Sequence, residues 1–468
     1  MLRSSRAKED GSPIECDRPE TSPLGTLFKL NKNESKVLTQ KSHRNRSVTS
    51  LIPLLVLCLS SAVGQSVSKH DREMGRWMLR DLEDCLKKNY YDPEFHGVNI
   101  DEAFKDAEEK INKATSNGQI FGIIEKALLR LNDSHTFFLP PPHALRVSYD
   151  WQIQMIGDQC YILAVKPGTD AEQQGLMPGD ILHVVDGYKL TRENFWLFNY
   201  LYNELQPKTR LSVVVQSPGE QPRRVNYDAS TRQGQKEIDL SDLFSDQQQY
   251  DRVYEHRFKG FAHDLYIWKM PSFFNLTADR VNEIMGNARK YRMLIIDLRG
   301  NHGGHQDVLL QIIGNFFDHD IKVGDRKRRK ETKALIAKTR GHDVFNGQLI
   351  LLVDNGSASA SELLARVVQI EKRGTVIGGV TAGAVMEAYR FAFSLISGAQ
   401  ITDADIIMTD GKSLEHTGVT PDKTMLPTGA DLREQADPVL AYAASLAGVK
   451  LDPKEAGALF PVRWRLRP

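Results

Sequence analysis

Apolar positions change their period along this chain, and each change marks a different kind of element. From His70 to about Pro140 they recur at three-to-four spacing among charged residues, in MGRWMLRDLEDCLKKNYYD and again in FGIIEKALLRL, which predicts amphipathic helices. This stretch ends in LNDSHTFFLPPP, where three prolines stop a helix and start an extended connection. From about Val147 to Ala229 the texture turns to short β-like runs such as WQIQMI and TRLSVVVQ, with a PGD turn and one helical stretch, ENFWLFNYLYNEL. The polar, turn-rich residues that follow read as a linker with an edge strand or two. From about 256 to 430 strand runs such as LYIWKM, MLIIDLR, QLILLVD and TVIGGV interleave with helices. That alternation predicts an α/β layer of buried, largely parallel strands with chemistry at their ends. The tail after Asp437 reads as one helix and a Pro-ended extension. The expected division is a leader at 1–64, a helical domain at 65–146, a β-rich domain at 147–229, a linker at 230–255, an α/β core at 256–430 and a tail at 431–468.

The leader has its own pattern. A basic stretch containing Lys41, Arg44 and Arg46 runs into thirteen largely apolar residues, Leu51 to Val63. Spanning a bilayer takes about 20 residues, whereas a short apolar core followed by Ala62, Val63 and Gly64 fits a secretory signal cleaved near Gly64. The long lead before it is explained if the true start lies downstream or if the segment is an uncleaved anchor. Leu57 ahead of Cys58 argues against a lipoprotein site. The expected location is therefore periplasmic or extracellular, with membrane contact only through this segment.

Charge and cysteine content narrow the class of partner. Lys plus Arg number 61 against 60 Asp plus Glu, and removing the leader leaves 51 against 54, so no net basic field draws nucleic acid. The four cysteines form no Cys-x-x-Cys pair, which excludes a zinc ribbon or redox pair and leaves at most one bridge, Cys85 to Cys160.

Two strand-to-helix turns hold the candidate chemistry. In GQLILLVDNGSASASELLARVV a strand ending at Val353 turns into a helix at about Ser359. A serine on that elbow stands beside helix amides that have no intrahelical acceptor and are able to stabilise an oxyanion. Ser359 and Glu362 also spell a capping box, so the residues alone leave capping and catalysis both open. In MLIIDLRGNHGGH the glycines let backbone amides approach a ligand closely. No Lys-Ser or Lys-Thr follows them, so this is no phosphate loop. His302 and His305 lack a third ligand at zinc-like spacing. No metal and no organic cofactor is expected.

These strings carry a resemblance. AEQQGLMPGDILHVVDG, residues 171–187, resembles a PDZ domain in the circularly permuted form used by bacterial proteases. NGSASASE (355–362) and DLRGNHGG (297–304) resemble the nucleophile and oxyanion segments of the C-terminal processing peptidases and their tricorn-core relatives. The likeness covers roughly residues 75–430. It implies Ser359 as nucleophile, with the Ala360 amide and the Gly303 or Gly304 amide as oxyanion donors. The family divides over the base. Processing peptidases use a lysine in a G-x-x-T-F-G-K-G segment, where this chain has GGVTAGAV and Ala384; Ile370 stands where the accompanying acidic residue belongs, with Glu371 adjacent. The tricorn-core branch uses a histidine from a D-S-H-T-like segment, matched by Asp133 to Thr136, and a glutamate acting through the preceding serine. By that match His135 is the general base, suited by its near-neutral pKa, and Glu415 in DGKSLEHTGVTPD orients it through Ser134.

The resemblance thus implies the histidine-using branch of the family. It implies a multidomain α+β fold with an N-terminal helical domain, a permuted PDZ domain and an α/β, crotonase-like, tricorn-core protease domain. The implied activity is an exported serine endopeptidase whose PDZ domain engages polypeptide. Two alternatives stay open: an inactive PDZ scaffold, and a carrier of an apolar ligand on the same core. Oligomeric state is left open.

Overall fold

The computed structural model describes residues 67–143, 145–233, 254–274, 276–393, 397–462 and 464. The leader, with its expected cleavage site and Cys58, lies outside them, as does most of the linker. Helices α1 (Lys69–Asn89), α2 (Ile100–Ile111) and α3 (Asn117–Leu128) come first. Each begins where a side chain satisfies an exposed amide, at Ser68, Asn99 and Ser116. A left-handed Asn132 (φ 51°) then turns the chain into β1 (Phe137–Leu139).

The β-rich segment comprises β2 (Leu145–Ser148), β3 (Trp151–Ile156), β4 (Gln159–Val165), the short α4 (Asp170–Gln173), β5 (Ile181–Val185), β6 (Tyr188–Lys189), α5 (Phe195–Tyr200), β7 (Arg210–Gln216), β8 (Arg223–Asp228) and β9 (Ser230–Gln233). Strands β3-β4-β5-β7-β8 make one sheet in that order, with β6 on β5, while β2 and β9 pair as a separate ribbon. Alternate residues of β4 and β7, among them Ile162, Val213 and Val215, point into its core with Phe198 and Leu201. Cys160 is a free thiol in that core, so the one bridge the sequence reading left open, to Cys85, is not formed; burial pushes its pKa far up.

The remaining elements are β10 (Arg257–Phe261), β11 (Leu265–Lys269), α6 (Ala278–Ala288), β12 (Met293–Asp297), α7 (Gln306–Gly314), β13 (Ile321–Arg328), β14 (Thr332–Ala337), β15 (Gln348–Val353), α8 (Ala360–Ile370), β16 (Thr375–Gly378), β17 (Glu387–Ala392), β18 (Gly398–Met408), β19 (Lys423–Thr424), α9 (Gly429–Arg433), α10 (Pro438–Ser445) and α11 (Pro453–Leu459). Six strands form a sheet in the order β10-β11-β12-β15-β16-β19, parallel throughout except for β10. It is covered on both faces. Leu294, Ile296, Leu349 and Leu351 face α6, α7 and α8, while Met293, Ile295, Ile350 and Leu352 face α10 and α11. Burial on both sides is why these strands read as unbroken apolar runs.

Two features depart from the expectation. Beyond Asp437 the tail forms two short helices rather than one, because Pro438 and Pro453 each open a new helix behind a capping aspartate, Asp437 and Asp452. A second, mainly antiparallel sheet, β1-β18-β13-β14 with β17 also on β18, accompanies the parallel one. The N-terminal helices pack on it, with Leu82, Phe104 and Ile124 against Phe391, Phe393, Ala399 and Ile401.

A charge network closes the C-terminal end of the parallel sheet. Asp297, 1% exposed, takes Lys269 Nζ at 3.1 Å and Arg299 Nη2 at 2.8 Å, and Arg299 continues to Asp437 at 2.6 Å. Burial alone would raise the Asp297 carboxyl, but Arg299 and then Lys269 outweigh it and hold it well below the usual carboxylate range. A carboxylate whose pKa is depressed by folding adds stability above its unfolded value of about 3.9 and loses it as pH falls toward the folded one. Asp297→Ala, which strands Lys269 and leaves Arg299 with Asp437 alone, is expected to cost about 3–5 kcal/mol in urea unfolding. Below about pH 4 the gap between wild type and variant should narrow.

Candidate active site

The turns after β12 and β15 are sewn to each other. Asp354 Oδ1 accepts from the amides of Gly300 and Gly356, each at 2.9 Å. Ser357 Oγ donates to the Leu298 carbonyl at 2.8 Å. The Asn301 carbonyl accepts from the Ala358 amide at 3.0 Å and from Ser361 Oγ at 2.9 Å. Gly303 (φ +87°) lies so close that a Cβ there would sit 2.7 Å from Ser359 Cβ and 2.9 Å from the Ala360 nitrogen. Only glycine permits that approach.

Ser359 is the residue before α8 and holds φ 54°, ψ −119°, a conformation disfavoured for any residue with a side chain. Its amide donates to the Ala384 carbonyl at 2.7 Å and to Glu362 Oε2 at 3.1 Å. Glu362 is fully buried and does more than cap the helix. It also accepts from Thr381 Oγ1 at 2.5 Å, Gly383 N at 2.6 Å and Ala384 N at 2.8 Å, which binds the elbow to the 381–384 loop. The Ala360 amide is the first of α8 and points out of the helix end, beside Gly303. One expected donor is turned away: the Gly303 amide donates inward to Asn301 Oδ1 at 2.8 Å, leaving the Gly304 amide as the candidate from this loop.

The second half of the site arrives on β1. Ser134 Oγ lies 2.5 Å from His135 Nδ1. Glu415 accepts from the Ser134 amide at 3.1 Å through Oε1 and from Ser134 Oγ at 3.2 Å through Oε2. Glu415 Oε2 also accepts from the Val385 amide at 3.2 Å. That amide belongs to the same peptide unit as the Ala384 carbonyl. One peptide plane therefore touches Ser359 with its oxygen and Glu415 with its N–H, and the nucleophile candidate and the Glu415–Ser134–His135 line meet across it.

Ala384 itself is fully buried in a small apolar cluster with Ala358 and Ala382. Two further contributors were not singled out in the sequence, Arg192 because it belongs to no motif and Asn301 although it lies within DLRGNHGG. Arg192, from the β6–α5 connection, donates through Nη2 to the carbonyls of Thr381 at 2.7 Å and Val380 at 3.2 Å. The Asn301 side chain donates to the Met270 carbonyl at 2.8 Å while holding the Gly303 amide.

Comparison with known proteins bears on this geometry. Residues 265–425 match the model of peptidase family S41. The chain is 23% identical over 340 residues to a CtpA-like serine protease of Staphylococcus aureus, covering 70% of this chain and 62% of that one. It is 24% identical over 372 residues to the chloroplastic C-terminal processing peptidase of Tetradesmus obliquus, covering 73% and 75%. The chain thus spans less than two thirds of the length of the staphylococcal relatives. The solved structure of mature CPAF covers 78% of this chain and 95% of its own at a TM-score of 0.60 and 13% identity, a likeness of fold. These matches correct the expected placement in the histidine-using, tricorn-core branch. The relatives are CtpA-like and C-terminal processing enzymes, the branch that pairs serine with lysine.

The backbone strain at the elbow is open to measurement. Glycine accepts φ 54° without penalty, whereas alanine keeps the strain of about 1–3 kcal/mol, offset by glycine's larger unfolded-state entropy of about 0.5–1 kcal/mol. Ser359→Gly is expected to be more stable than Ser359→Ala by about 1 kcal/mol in denaturant unfolding.

Proposed function

We propose that this chain is an exported serine endopeptidase that cleaves polypeptides through an acyl-enzyme. The observation that carries this reading is the shared peptide plane, which holds Ser359 on one side and the Glu415–Ser134–His135 line on the other. Likeness to CtpA-like enzymes supports the reaction class, but Ala384 stands where their lysine belongs, and the base we assign rests on this chain's own contacts. His135 takes the proton as Ser359 Oγ attacks the peptide carbonyl. It returns that proton to the leaving amine as the C–N bond breaks, then activates the water that hydrolyses the ester. Ser134 and Glu415 orient the imidazole through Nδ1, as the third group of a triad does. The amides of Ala360 and Gly304 receive the negative charge on the carbonyl oxygen.

The finer architecture belongs to the same proposal: a permuted PDZ domain over 147–229 and a crotonase-like, tricorn-type core over 256–430. Support comes from the 171–187 string and from β3, an edge strand of its sheet open to an added peptide strand. Asp150, just ahead of β3, has φ 56° and a buried carboxylate that accepts from Ser148 Oγ at 3.0 Å and Ser230 N at 3.1 Å. A negative group in that place favours an extended internal segment over a chain-terminal carboxylate. The basic and apolar pattern of residues 41–64 supports export. Among the described residues no helix is long and apolar enough to cross a membrane.

The deciding experiment is labelling of the full chain with a fluorophosphonate probe, with the adduct mapped by mass spectrometry. Wild type should be modified at Ser359, Ser359→Ala not at all, and His135→Ala should react slower by about 100-fold or more. Equal weak labelling of all three folded proteins would remove the catalytic reading and favour a scaffold or carrier.

A further inference from the structure

We infer that Asp133 is a positioning residue for His135, an inference that rests on His135 being the base. A single oxygen, Asp133 Oδ1, accepts from the His135 amide at 2.8 Å, the Thr136 amide at 2.7 Å and Thr402 Oγ1 at 2.9 Å. The first two bonds fix the backbone of the turn that carries the imidazole. The third ties that turn to β18, on which β1 begins one residue later with Phe137 opposite Gln400. Thr402 is itself fixed. Its amide donates to Thr136 Oγ1 at 3.0 Å, Thr136 Oγ1 donates to Thr402 Oγ1 at 3.1 Å, and its carbonyl accepts from the Tyr91 amide at 3.0 Å. Both threonines are buried.

The turn is therefore held from two directions. Glu415 grips Ser134, and Asp133 grips the two residues after it. Removing Asp133 leaves two amides and a hydroxyl without their acceptor and frees the imidazole to shift, and a displacement of about 1 Å is enough to cost on the order of 100-fold in rate. Asparagine offers the same Oδ1 acceptor without charge. The geometry asks for that acceptor and not for the charge.

The test compares wild type, Asp133→Ala, Asp133→Asn and His135→Ala as full chains. It measures the saturable rate of fluorophosphonate labelling at Ser359, its pH dependence and thermal unfolding. Asp133→Ala should lower the maximal labelling rate about 100-fold with little change in probe affinity. Asp133→Asn should keep most of the rate, with the acidic limb of its pH profile unmoved. A folded Asp133→Ala that labels as fast as wild type, or an Asp133→Asn as slow as Asp133→Ala, overturns the inference. Should Asp133→Ala fail to fold, Thr402→Val carries the test, because it removes the Thr402 Oγ1 bonds to Asp133 and Thr136 while both amide bonds to Asp133 stay; slower labelling supports the role and an unchanged rate refutes it. Wild-type labelling by His135→Ala would instead remove the reading beneath the inference, whatever Asp133 does.

Discussion

The site depends on how closely two backbone turns approach each other at the end of the parallel sheet. A Cβ at Gly303 would fall 2.7 Å from that of Ser359, so the Gly303 loop and the Ser359 elbow share a space that admits no further atom. Such closeness forces Ser359 into a conformation that costs about 1–3 kcal/mol, and the surroundings must over-determine it. Glu362 does so by gathering four donors onto one buried carboxylate. Asn301 does the same from the other loop with both its side chain and its carbonyl. Neither residue need touch substrate, yet the reacting groups have no fixed place without them.

The second constraint is topological. His135 and Glu415 are 280 positions apart and come together because β1 leaves the N-terminal helices and joins β18 of the core. The strand behind the histidine is shared further. Tyr200 of α5 donates to the Phe138 carbonyl at 2.6 Å and to Glu125 at 3.1 Å, and the same Glu125 oxygen accepts from the Phe138 amide at 2.8 Å. With Arg192 reaching the 380–381 carbonyls from the β-rich segment, the helices, that segment and the core all bear on one site. The parts of this chain are distinct in sequence texture and interdependent in geometry.

That contrast explains what was legible in the sequence. The parallel strands announced themselves because burial on both faces leaves no polar position, as in MLIID and LILLV. The strand-to-helix turn before α8 was legible because NGSASASE packs small residues between an apolar strand run and a helical one. The second sheet was not, since β13, β17 and β18 carry arginine, glutamate and aspartate among their apolar residues, as in Arg328 paired with Glu387 and Asp403. Local pattern registers burial, and these charges are buried against partners from other strands. Arg192 and the inward turn of the Gly303 amide were hidden for a related reason: each is decided by a contact across domains or a single backbone rotation that no spacing rule encodes.

The branch assignment failed through a different step. Ala384 stands where the resemblance placed a lysine, but one residue does not redraw a lineage, and over 70% of this chain the match is to a CtpA-like enzyme. The structure shows what surrounds Ala384. Ala384 packs with Ala358 and Ala382, its amide is held by Glu362 and its carbonyl by Ser359. An ammonium placed in this closed, alanine-lined space would need an open path and polar partners, and burying it without them is far costlier than burying a methyl group. The backbone at 384 is structural, the plane between Ser359 and Glu415. On the proposed reading the proton acceptor comes from the turn ahead of β1, which is why the hold of Glu415 and Asp133 on that turn carries weight.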